Sequence, residues 1–177
     1  MIEVEAKIKI LNPGEYRERA SEIGRFIGKE KKIDEYYAFD YSGGYPRRSI
    51  RIRKHDGRYE FNFKEKLSYV RGIYAKAEHE LAIPSEKQFR VMLKNSGFKR
   101  WLRKEKTSEV YEINKNFHIE INNVKRLGWF LEIEYLTNES GIGKARREIL
   151  KVIKKLGADK NKIIKDGYSK MLWKRSV

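Results

Sequence analysis

Pairs of like-charged residues, separated by one position, recur along this 177-residue sequence. Alternate residues of a β-strand point to the same face, so the members of each pair would lie side by side. Carboxylate pairs can bind divalent cations through oxygen, and basic pairs can bind phosphate oxygens. The six pairs are Glu3 with Glu5 (followed by Lys7), Arg51 with Arg53, Lys64 with Lys66 (preceded by Asn62), Glu78 with Glu80, Lys104 with Lys106, and Glu132 with Glu134.

A single pair of this kind is ordinary, because a half-exposed antiparallel strand alternates apolar and charged residues. Taken together, the pairs favour another interpretation, because like charges at neighbouring sites repel each other unless something compensates them. A closed barrel with all the pairs on its inner face would need a polyanion at the basic pairs and divalent cations at the acidic pairs. A triphosphate with Mg²⁺ or Mn²⁺ satisfies both needs, so we expect a polar tunnel.

The elements that position these pairs follow from hydrophobic periodicity and turn residues. Eight or nine strands and three or four helices predict an α+β fold, built on an antiparallel barrel or sandwich in a single domain over residues 1–177. An Asp-Gly turn at 56–57 predicts one tight hairpin. The main predicted helices cover residues 13–28, 84–97, 138–156 and 166–173; the predicted strands cover 1–11, 33–41, 48–54, 58–67, 73–83, 98–106, 109–114, 117–122 and 129–136.

The composition limits the classes of partner. Lys and Arg total 41 against 25 Asp and Glu, a formal net charge of +16, which suits nucleic acid, an anionic membrane surface or a small polyanion. The sequence contains no cysteine, which excludes disulfides and thiol chemistry. It has no apolar run of about 18 residues and no signal peptide pattern, so we expect a cytoplasmic protein without a membrane partner.

The order and spacing of the charged pairs resemble those of the CYTH superfamily, the triphosphate tunnel metalloenzymes, along nearly the whole chain. The most specific motifs are Glu3-x-Glu5-x-Lys7 and Leu127-Gly128-x-Phe130-x-Glu132-x-Glu134, and Asp34-x-Tyr36-Tyr37 is also similar. The resemblance implies an antiparallel eight-stranded β-barrel, the triphosphate tunnel, with flanking helices and a C-terminal plug helix. It also implies an enzyme that acts on triphosphates with a divalent metal ion.

The resemblance further implies roles for individual residues. Glu3, Glu5 and Lys7 would form the catalytic set, in which Glu3 or Glu5 orients and deprotonates the attacking water. The Mg²⁺ or Mn²⁺ ligands would be Glu3, Glu5, Glu132 and Glu134, with Glu78 and Glu80 for a second ion. The phosphate oxygens would be bound by Lys7, Arg51, Arg53, Lys64, Lys104 and Lys106, and by Lys165 or Lys170 at the C-terminal helix.

Two positions depart from the family pattern. The family often has Lys-x-Arg where this sequence has Lys104-x-Lys106, and a lysine keeps the charge but loses the bidentate fork of arginine. The family often has aspartate where this sequence has Asn122. An amide can bind a metal ion through oxygen but brings no charge, so we expect a reduced ligand set at that end.

Several functions remain open at this point. We expect a hydrolase that cleaves inorganic triphosphate to phosphate and pyrophosphate, because a tunnel lined by charges recognises phosphates and little else. The alternatives are a class IV adenylate cyclase, which converts ATP to cyclic AMP and pyrophosphate, and a thiamine triphosphatase. A non-catalytic nucleic-acid or polyphosphate binding module is a different class, but no nucleic-acid motif is present, so nucleic acid is not the expected partner. RNA with a 5′-triphosphate would combine both classes. Family members often form dimers, so a homodimer is also open.

Overall fold

Strands dominate the computed structural model, which describes residues 1–46 and 48–176 and all of their side chains except that of Lys64. The strands are β1 (Ile2–Lys9), β2 (Arg25–Phe39), β3 (Ile50–His55), β4 (Arg58–Val70), β5 (Ile73–Ala82), β6 (Phe98–Asn114), β7 (Phe117–Val124) and β8 (Gly128–Thr137). The α-helices are α1 (Pro13–Ile23), α2 (Glu86–Asn95), α3 (Ile142–Lys155) and α4 (Tyr168–Lys174).

The strands form a closed antiparallel barrel in the order β1-β5-β4-β3-β2-β6-β7-β8. Strand β1 pairs with both β5 and β8, so the sheet has no free edge at its first strand. The predicted eight-stranded barrel with flanking helices and a C-terminal helix is thereby confirmed. Within the described residues, no helix combines the length and the apolar character that crossing a membrane requires.

The chain divides into two compact units. The first unit comprises Met1–Glu30, Lys64–Glu78 and Thr107–Lys165, and the second comprises Lys31–Phe63, His79–Lys106 and Asp166–Val177. The core of the first unit joins one face of β1 to α3, with Val4 and Ile8 in the same cluster as Ile149 and Ile153. A smaller core in the second unit contains Tyr37, Ile52 and Leu93.

The predicted helix over residues 13–28 is wrong over residues 24–28. Helix α1 ends at Ile23, where the Gly24 amide donates to the Ala20 carbonyl, and β2 begins at Arg25. A Cβ atom at Gly24 would lie 3.0 Å from the carbonyl oxygen of Glu112, so this close approach of two backbones requires glycine. Ile27, predicted on the buried helical stripe, is instead exposed on a strand.

The two predicted strands over residues 98–106 and 109–114 are one 17-residue strand, β6. Thr107 and Ser108 do not interrupt it, because threonine fits the pleated backbone well and the alternation continues through both residues. Lys104, Lys106 and Ser108 are all buried on the same face of this strand. The basic pair at 104 and 106 is therefore followed by a small residue rather than by a turn.

Candidate functional site

Five carboxylates of the first unit lie on one face of β1, β7 and β8. Lys7 lies opposite Glu132 in the β1–β8 register, and Glu132 lies opposite Glu120 in the β7–β8 register. In a neighbouring row, Glu5 lies opposite Glu134. Directly opposed residues of paired strands project from the same face, so these side chains form one polar surface. We call it the acidic cluster; it consists of Glu3, Glu5, Glu120, Glu132 and Glu134 with Lys7 and Lys76.

Lys7 is the buried cation of the acidic cluster. Its Nζ lies 3.0 Å from Oε1 of Glu132 and 3.6 Å from Oε1 of Glu5. Burial alone would lower the pKa of Lys7, but the charges of Glu132, Glu5 and Glu3 outweigh it and hold the pKa above its usual value. Lys76 from β5 donates a second charged hydrogen bond to Glu5. Lys7 and Lys76 therefore contribute two ammonium groups that contact these carboxylates.

Asn122 joins two of these carboxylates. Its Nδ2 donates to Oε2 of Glu120 over 3.1 Å and to Oε2 of Glu132 over 2.8 Å, and the side chain is fully buried. The amide thus acts as a hydrogen-bond donor between carboxylates, a role different from the weakened metal ligand that the sequence predicts. An aspartate at this position could not donate to either neighbour at neutral pH.

The donor chemistry of the acidic cluster fits a hard divalent cation, because Mg²⁺ and Mn²⁺ prefer carboxylate and carbonyl oxygens. In residues 1–46 and 48–176, however, no three Asp, Glu or His side chains stand close enough to hold an ion as they are arranged. Lys7 and Lys76 contact the carboxylates instead. Binding of a metal ion would therefore require side-chain movement within the acidic cluster.

The second unit contains a cluster of the opposite kind, in which the buried anion Asp34 is surrounded by cations. Arg53 donates to both carboxylate oxygens of Asp34, from Nε over 2.9 Å and from Nη2 over 3.2 Å. Lys104 Nζ lies 2.7 Å from Oδ2 of Asp34, and Arg51 Nη1 lies 3.7 Å from the same oxygen. Lys106 is buried two residues beyond Lys104 on the same strand face. We call Arg51, Arg53, Lys104 and Lys106 with Asp34 the basic cluster.

Asp34 is ionised within this arrangement. Its side chain is fully buried, which alone would raise its pKa, but Lys104, Arg53 and Arg51 hold the pKa well below its usual value. Lys104 Nζ also lies 5.9 Å from the centre of the Tyr36 ring and 5.6 Å from that of Tyr168 on α4. These contacts fix the direction of the Lys104 ammonium group.

A family model described as the CYTH domain matches residues 1–168. The chain belongs to the CYTH family. A Methanocaldococcus jannaschii protein named "Putative adenylate cyclase MJ0240" is 30% identical over 175 residues, which cover 95% of this chain and 97% of that protein.

Two solved structures show the same fold. The PH1012 protein of Pyrococcus horikoshii OT3 is 24% identical with a TM-score of 0.80, over 95% of this chain and 98% of that one. The Hippeastrum protein HpAC1, described as a putative adenylyl cyclase with a dominant triphosphatase activity, is 16% identical with a TM-score of 0.63, over 98% of this chain and 95% of that one. CYTH proteins include enzymes that act on triphosphates, generally with a divalent metal ion.

Of the other residues predicted from the CYTH resemblance, Glu80 and Lys170 contact partners outside these two clusters. Glu78 falls in the first unit, whereas Glu80 falls in the second unit, where its Oε1 accepts a 2.7 Å hydrogen bond from Asn62. Lys170 forms a 3.2 Å ion pair with Asp166 on the surface. Lys165 is exposed, and its backbone carbonyl accepts a hydrogen bond from the Tyr74 hydroxyl. The side chain of Lys64 lies outside the described structure.

Four residues of these arrangements were missed as site residues by reasoning from like-charged pairs. Lys76 could have been found, because it extends the alternation of Glu78 and Glu80 by one step. Glu120 is followed at i+2 by Asn122, so a search for like charges passes over it. Asp34 stands in an apolar and aromatic stretch, and its role depends on cross-strand neighbours. Asn62 was noted only as a companion of Lys64.

Proposed function

We propose that this CYTH protein is a divalent-metal-dependent hydrolase that cleaves inorganic triphosphate to phosphate and pyrophosphate. The observation that carries this proposal is the separation of buried charge into an acidic cluster around Lys7 and a basic cluster around Asp34. A triphosphate bound with a metal ion presents anionic oxygens and a cation together, and the two clusters are complementary to these two partners.

The acidic cluster supplies the metal ligands in this proposal. Glu3, Glu5, Glu132 and Glu134 lie on one face of two paired strands, so their carboxylates can converge when Lys7 and Lys76 move aside. A divalent ion bound there supplies Lewis acidity toward phosphoryl oxygens and lowers the pKa of a bound water molecule. Glu78 and Glu80 would hold a second ion in this proposal, and Glu80 would then exchange the hydrogen bond that it accepts from Asn62.

The basic cluster supplies the phosphate contacts. Arg53 donates two parallel hydrogen bonds to the carboxylate of Asp34, and a guanidinium group binds a phosphate group with the same geometry. Arg51, Lys104 and Lys106 add charge on the neighbouring positions, and Lys64, Lys165 or Lys170 extend the set. Asp34 keeps the three cations that it contacts oriented, so less side-chain entropy is lost when substrate binds.

In the proposed chemical step, Glu3 or Glu5 orients and deprotonates the attacking water. The water oxygen forms a bond to the terminal phosphorus, its proton passes to the glutamate carboxylate, and the bond from that phosphorus to the bridging oxygen breaks. The products are phosphate and pyrophosphate, and the basic cluster neutralises the charge that develops on the leaving oxygen. Lys7 balances the acidic cluster and contacts a phosphate oxygen as the carboxylates rearrange.

Adenylate cyclase activity is the second candidate, and the observation that favours it is the name of the Methanocaldococcus jannaschii relative. In that reaction, the 3′-hydroxyl of ATP attacks the α-phosphorus, and pyrophosphate leaves. The same charge complementarity serves both reactions, so the difference lies in which phosphorus faces the nucleophile. The name of the Hippeastrum structure, which gives triphosphatase activity as dominant in that protein, supports the hydrolase as first choice.

The test measures the release of phosphate and pyrophosphate from inorganic triphosphate, ATP and thiamine triphosphate, each with Mg²⁺, Mn²⁺ or chelator. We expect rapid metal-dependent release of phosphate from inorganic triphosphate. The kcat of Glu5→Gln should be lower by about 100-fold or more, because replacing even an outer-shell partner of a metal ligand costs about 10- to 100-fold. The matched control is Glu112→Gln, which alters a partly exposed glutamate paired with Arg25. Cyclic AMP formed from ATP would instead make the protein a cyclase. No turnover, together with binding of RNA that survives chelator, would replace the enzyme with a binding module.

A further inference from the structure

Two tyrosines and a lysine meet where β4 turns into β5. Tyr69 is the last residue but one of β4, Tyr74 is the second residue of β5, and their ring centres are 4.5 Å apart. Lys66 Nζ lies 5.5 Å from the centre of the Tyr69 ring and 5.2 Å from that of the Tyr74 ring. All three residues belong to the first unit. We call Lys66, Tyr69 and Tyr74 the hairpin cluster.

The hydroxyl group of Tyr69 is the unusual feature of the hairpin cluster. It is buried and has no hydrogen-bond partner within the described part of the chain. The Tyr74 hydroxyl, by contrast, donates a 2.6 Å hydrogen bond to the carbonyl oxygen of Lys165. A buried hydroxyl without a partner destabilises the fold, so its presence calls for a partner from outside the chain. A phenol hydroxyl can donate a hydrogen bond to an anionic oxygen.

Lys66 brings a positive charge to this hydroxyl. Its side chain is exposed and contacts both rings, and it forms no ion pair with any residue that the structure describes. Lys76 Nζ lies 5.1 Å from the centre of the same Tyr74 ring and also donates to Glu5. An ammonium group beside a hydroxyl donor favours an anion with several acceptor oxygens, and a phosphate group has this chemistry.

We propose that the hairpin cluster binds a phosphate group, to which the Lys66 ammonium group and the Tyr69 hydroxyl both donate hydrogen bonds. A chain of contacts runs from Glu5 through Lys76 and the Tyr74 ring to Lys66. Because Glu5 belongs to the acidic cluster, the hairpin cluster is next to the place where phosphate is formed in the proposed function. We therefore assign the bound group to the released phosphate, and this assignment of its source rests on the proposed function.

Phosphate binding requires a local movement of side chains. The Tyr69 hydroxyl is buried, so a phosphate oxygen reaches it only when the hairpin cluster opens. Lys66 has a flexible four-carbon stem and is exposed, so its ammonium group can leave the two rings and follow the phosphate.

The first experiment measures binding of inorganic phosphate to the full-length protein by ³¹P nuclear magnetic resonance, in chelator and without substrate. We expect Lys66→Met and Tyr69→Phe each to weaken binding about fivefold or more, because each removes a hydrogen bond to a charged group. Lys66→Arg should bind within about twofold of the wild type, since arginine also binds phosphate. The matched controls are Lys54→Met and Tyr59→Phe, which alter another lysine 5.5 Å from a tyrosine ring and should bind as the wild type does.

Thermal unfolding separates a binding role of Tyr69 from a structural role. Tyr69→Phe removes a buried hydroxyl that has no partner in the described structure, so without phosphate it should unfold at the same temperature as the wild type or higher. Phosphate should raise the unfolding temperature of the wild type more than that of the variant. A Tyr69→Phe variant that is less stable but binds phosphate as the wild type does would assign the hydroxyl to the fold and overturn the inference.

Product inhibition of inorganic triphosphate hydrolysis tests the source of the phosphate. We expect Tyr69→Phe to raise the inhibition constant of phosphate about fivefold, while that of pyrophosphate and the KM change by less than about twofold. A KM that rises in step with the inhibition constant would overturn the assignment to the released phosphate. If the wild type hydrolyses no triphosphate but binds phosphate through Lys66 and Tyr69, the proposed function fails and the phosphate site stands. Absence of saturable phosphate binding, or equal binding by the wild type and both variants, would overturn the phosphate site itself.

Discussion

In each unit, a buried charged side chain is surrounded by side chains of the opposite charge, and the signs are reversed between the two units. In the first unit, the buried Lys7 lies between carboxylates of β1 and β8. In the second unit, a single buried aspartate, Asp34, stands between cations of β3 and β6. The pKa of Lys7 is raised and that of Asp34 is lowered, and in both cases neighbouring charges outweigh the effect of burial.

The difference between the two lies in the side chain at the centre. Lysine carries its charge on a flexible four-carbon stem, so Lys7 can move away when a cation with more charge arrives. Aspartate is short, and Asp34 is held by a bidentate arginine fork, so its cluster keeps its geometry. The acidic cluster is therefore the adaptable half of the molecule, and the basic cluster is the preorganised half.

The largest expected effect tests the preorganised half. Asp34→Asn removes the anion that Arg51, Arg53 and Lys104 all contact, and removing one partner of a buried ion network costs about 3–5 kcal/mol. We expect chemical denaturation at neutral pH to show that loss in the free energy of unfolding. Inorganic triphosphate should restore part of it, because its oxygens supply the missing negative charge. The control is Asp56→Asn, on an exposed hairpin turn.

The pH dependence of this loss has a defined sign. Because the folded-state pKa of Asp34 lies below its unfolded value of about 3.9, its contribution is fully present above that value and is lost as the pH falls toward the folded pKa. The difference in unfolding free energy between the wild type and Asp34→Asn should therefore be constant from pH 5 to 8, a range that lies about one pH unit or more above 3.9. It should shrink below about pH 4. A difference that grows on acidification would contradict an ionised Asp34.

The next effect tests the adaptable half. Lys7→Met removes the central ammonium but leaves Lys76 on Glu5 and Asn122 on Glu132, so we expect a loss of about 1.5–3 kcal/mol, as for a single charged hydrogen bond. Thermal unfolding, measured with and without Mn²⁺, checks this loss of stability. Mn²⁺ should stabilise Lys7→Met more than it stabilises the wild type, because the ion no longer competes with Lys7. Equal stabilisation of both proteins would mean that Lys7 does not occupy the position of the ion.

A smaller effect distinguishes the geometry of the basic cluster from its charge. Arg53→Lys keeps the positive charge but loses the parallel pair of hydrogen bonds to Asp34, so we expect a loss of about 1 kcal/mol in unfolding free energy. The KM for inorganic triphosphate should rise while Mn²⁺ affinity stays unchanged, since the acidic cluster is untouched. Lys54→Arg, on the neighbouring strand position over the Tyr59 ring, is the control. A change in Mn²⁺ affinity with an unchanged KM would reverse the assignment of the two clusters.

Features that depend on residues close in sequence can be predicted from the sequence, whereas features that depend on contacts between distant residues cannot. The barrel strands and the pairs Glu3 with Glu5, Arg51 with Arg53, Lys104 with Lys106 and Glu132 with Glu134 follow from a period of two within a single strand. The end of α1 could not be predicted, because the requirement for Gly24 comes from the backbone of Glu112, which is distant in sequence.

The candidate site shows the same division between local patterns and contacts between distant residues. A like-charge pair is visible along one strand, but the opposite charge that balances it comes from another strand and depends on register. Asp34 is opposite Arg53 and Glu120 is opposite Glu132, and neither relation can be read from local spacing. Asn122 is the clearest case, since its sequence position suggests a weakened metal ligand, whereas its contacts make it a donor to two carboxylates.

The smallest expected effect concerns the C-terminal lysines. The sequence leaves undecided which of Lys165 and Lys170 contacts the substrate. Lys170→Ala removes the ion pair between Lys170 on α4 and Asp166, which precedes α4; both side chains are partly exposed, so solvent screens the charges and the pair is worth about 0.3–0.5 kcal/mol. Lys165→Ala removes an exposed side chain from the segment before α4. Since both changes barely affect folding, the KM for inorganic triphosphate reports directly on contact with substrate. We expect Lys170→Ala to raise KM more than Lys165→Ala does, because Lys170 belongs to the same unit as the basic cluster. The reverse order would assign the contact to Lys165, which belongs to the unit that holds the acidic cluster.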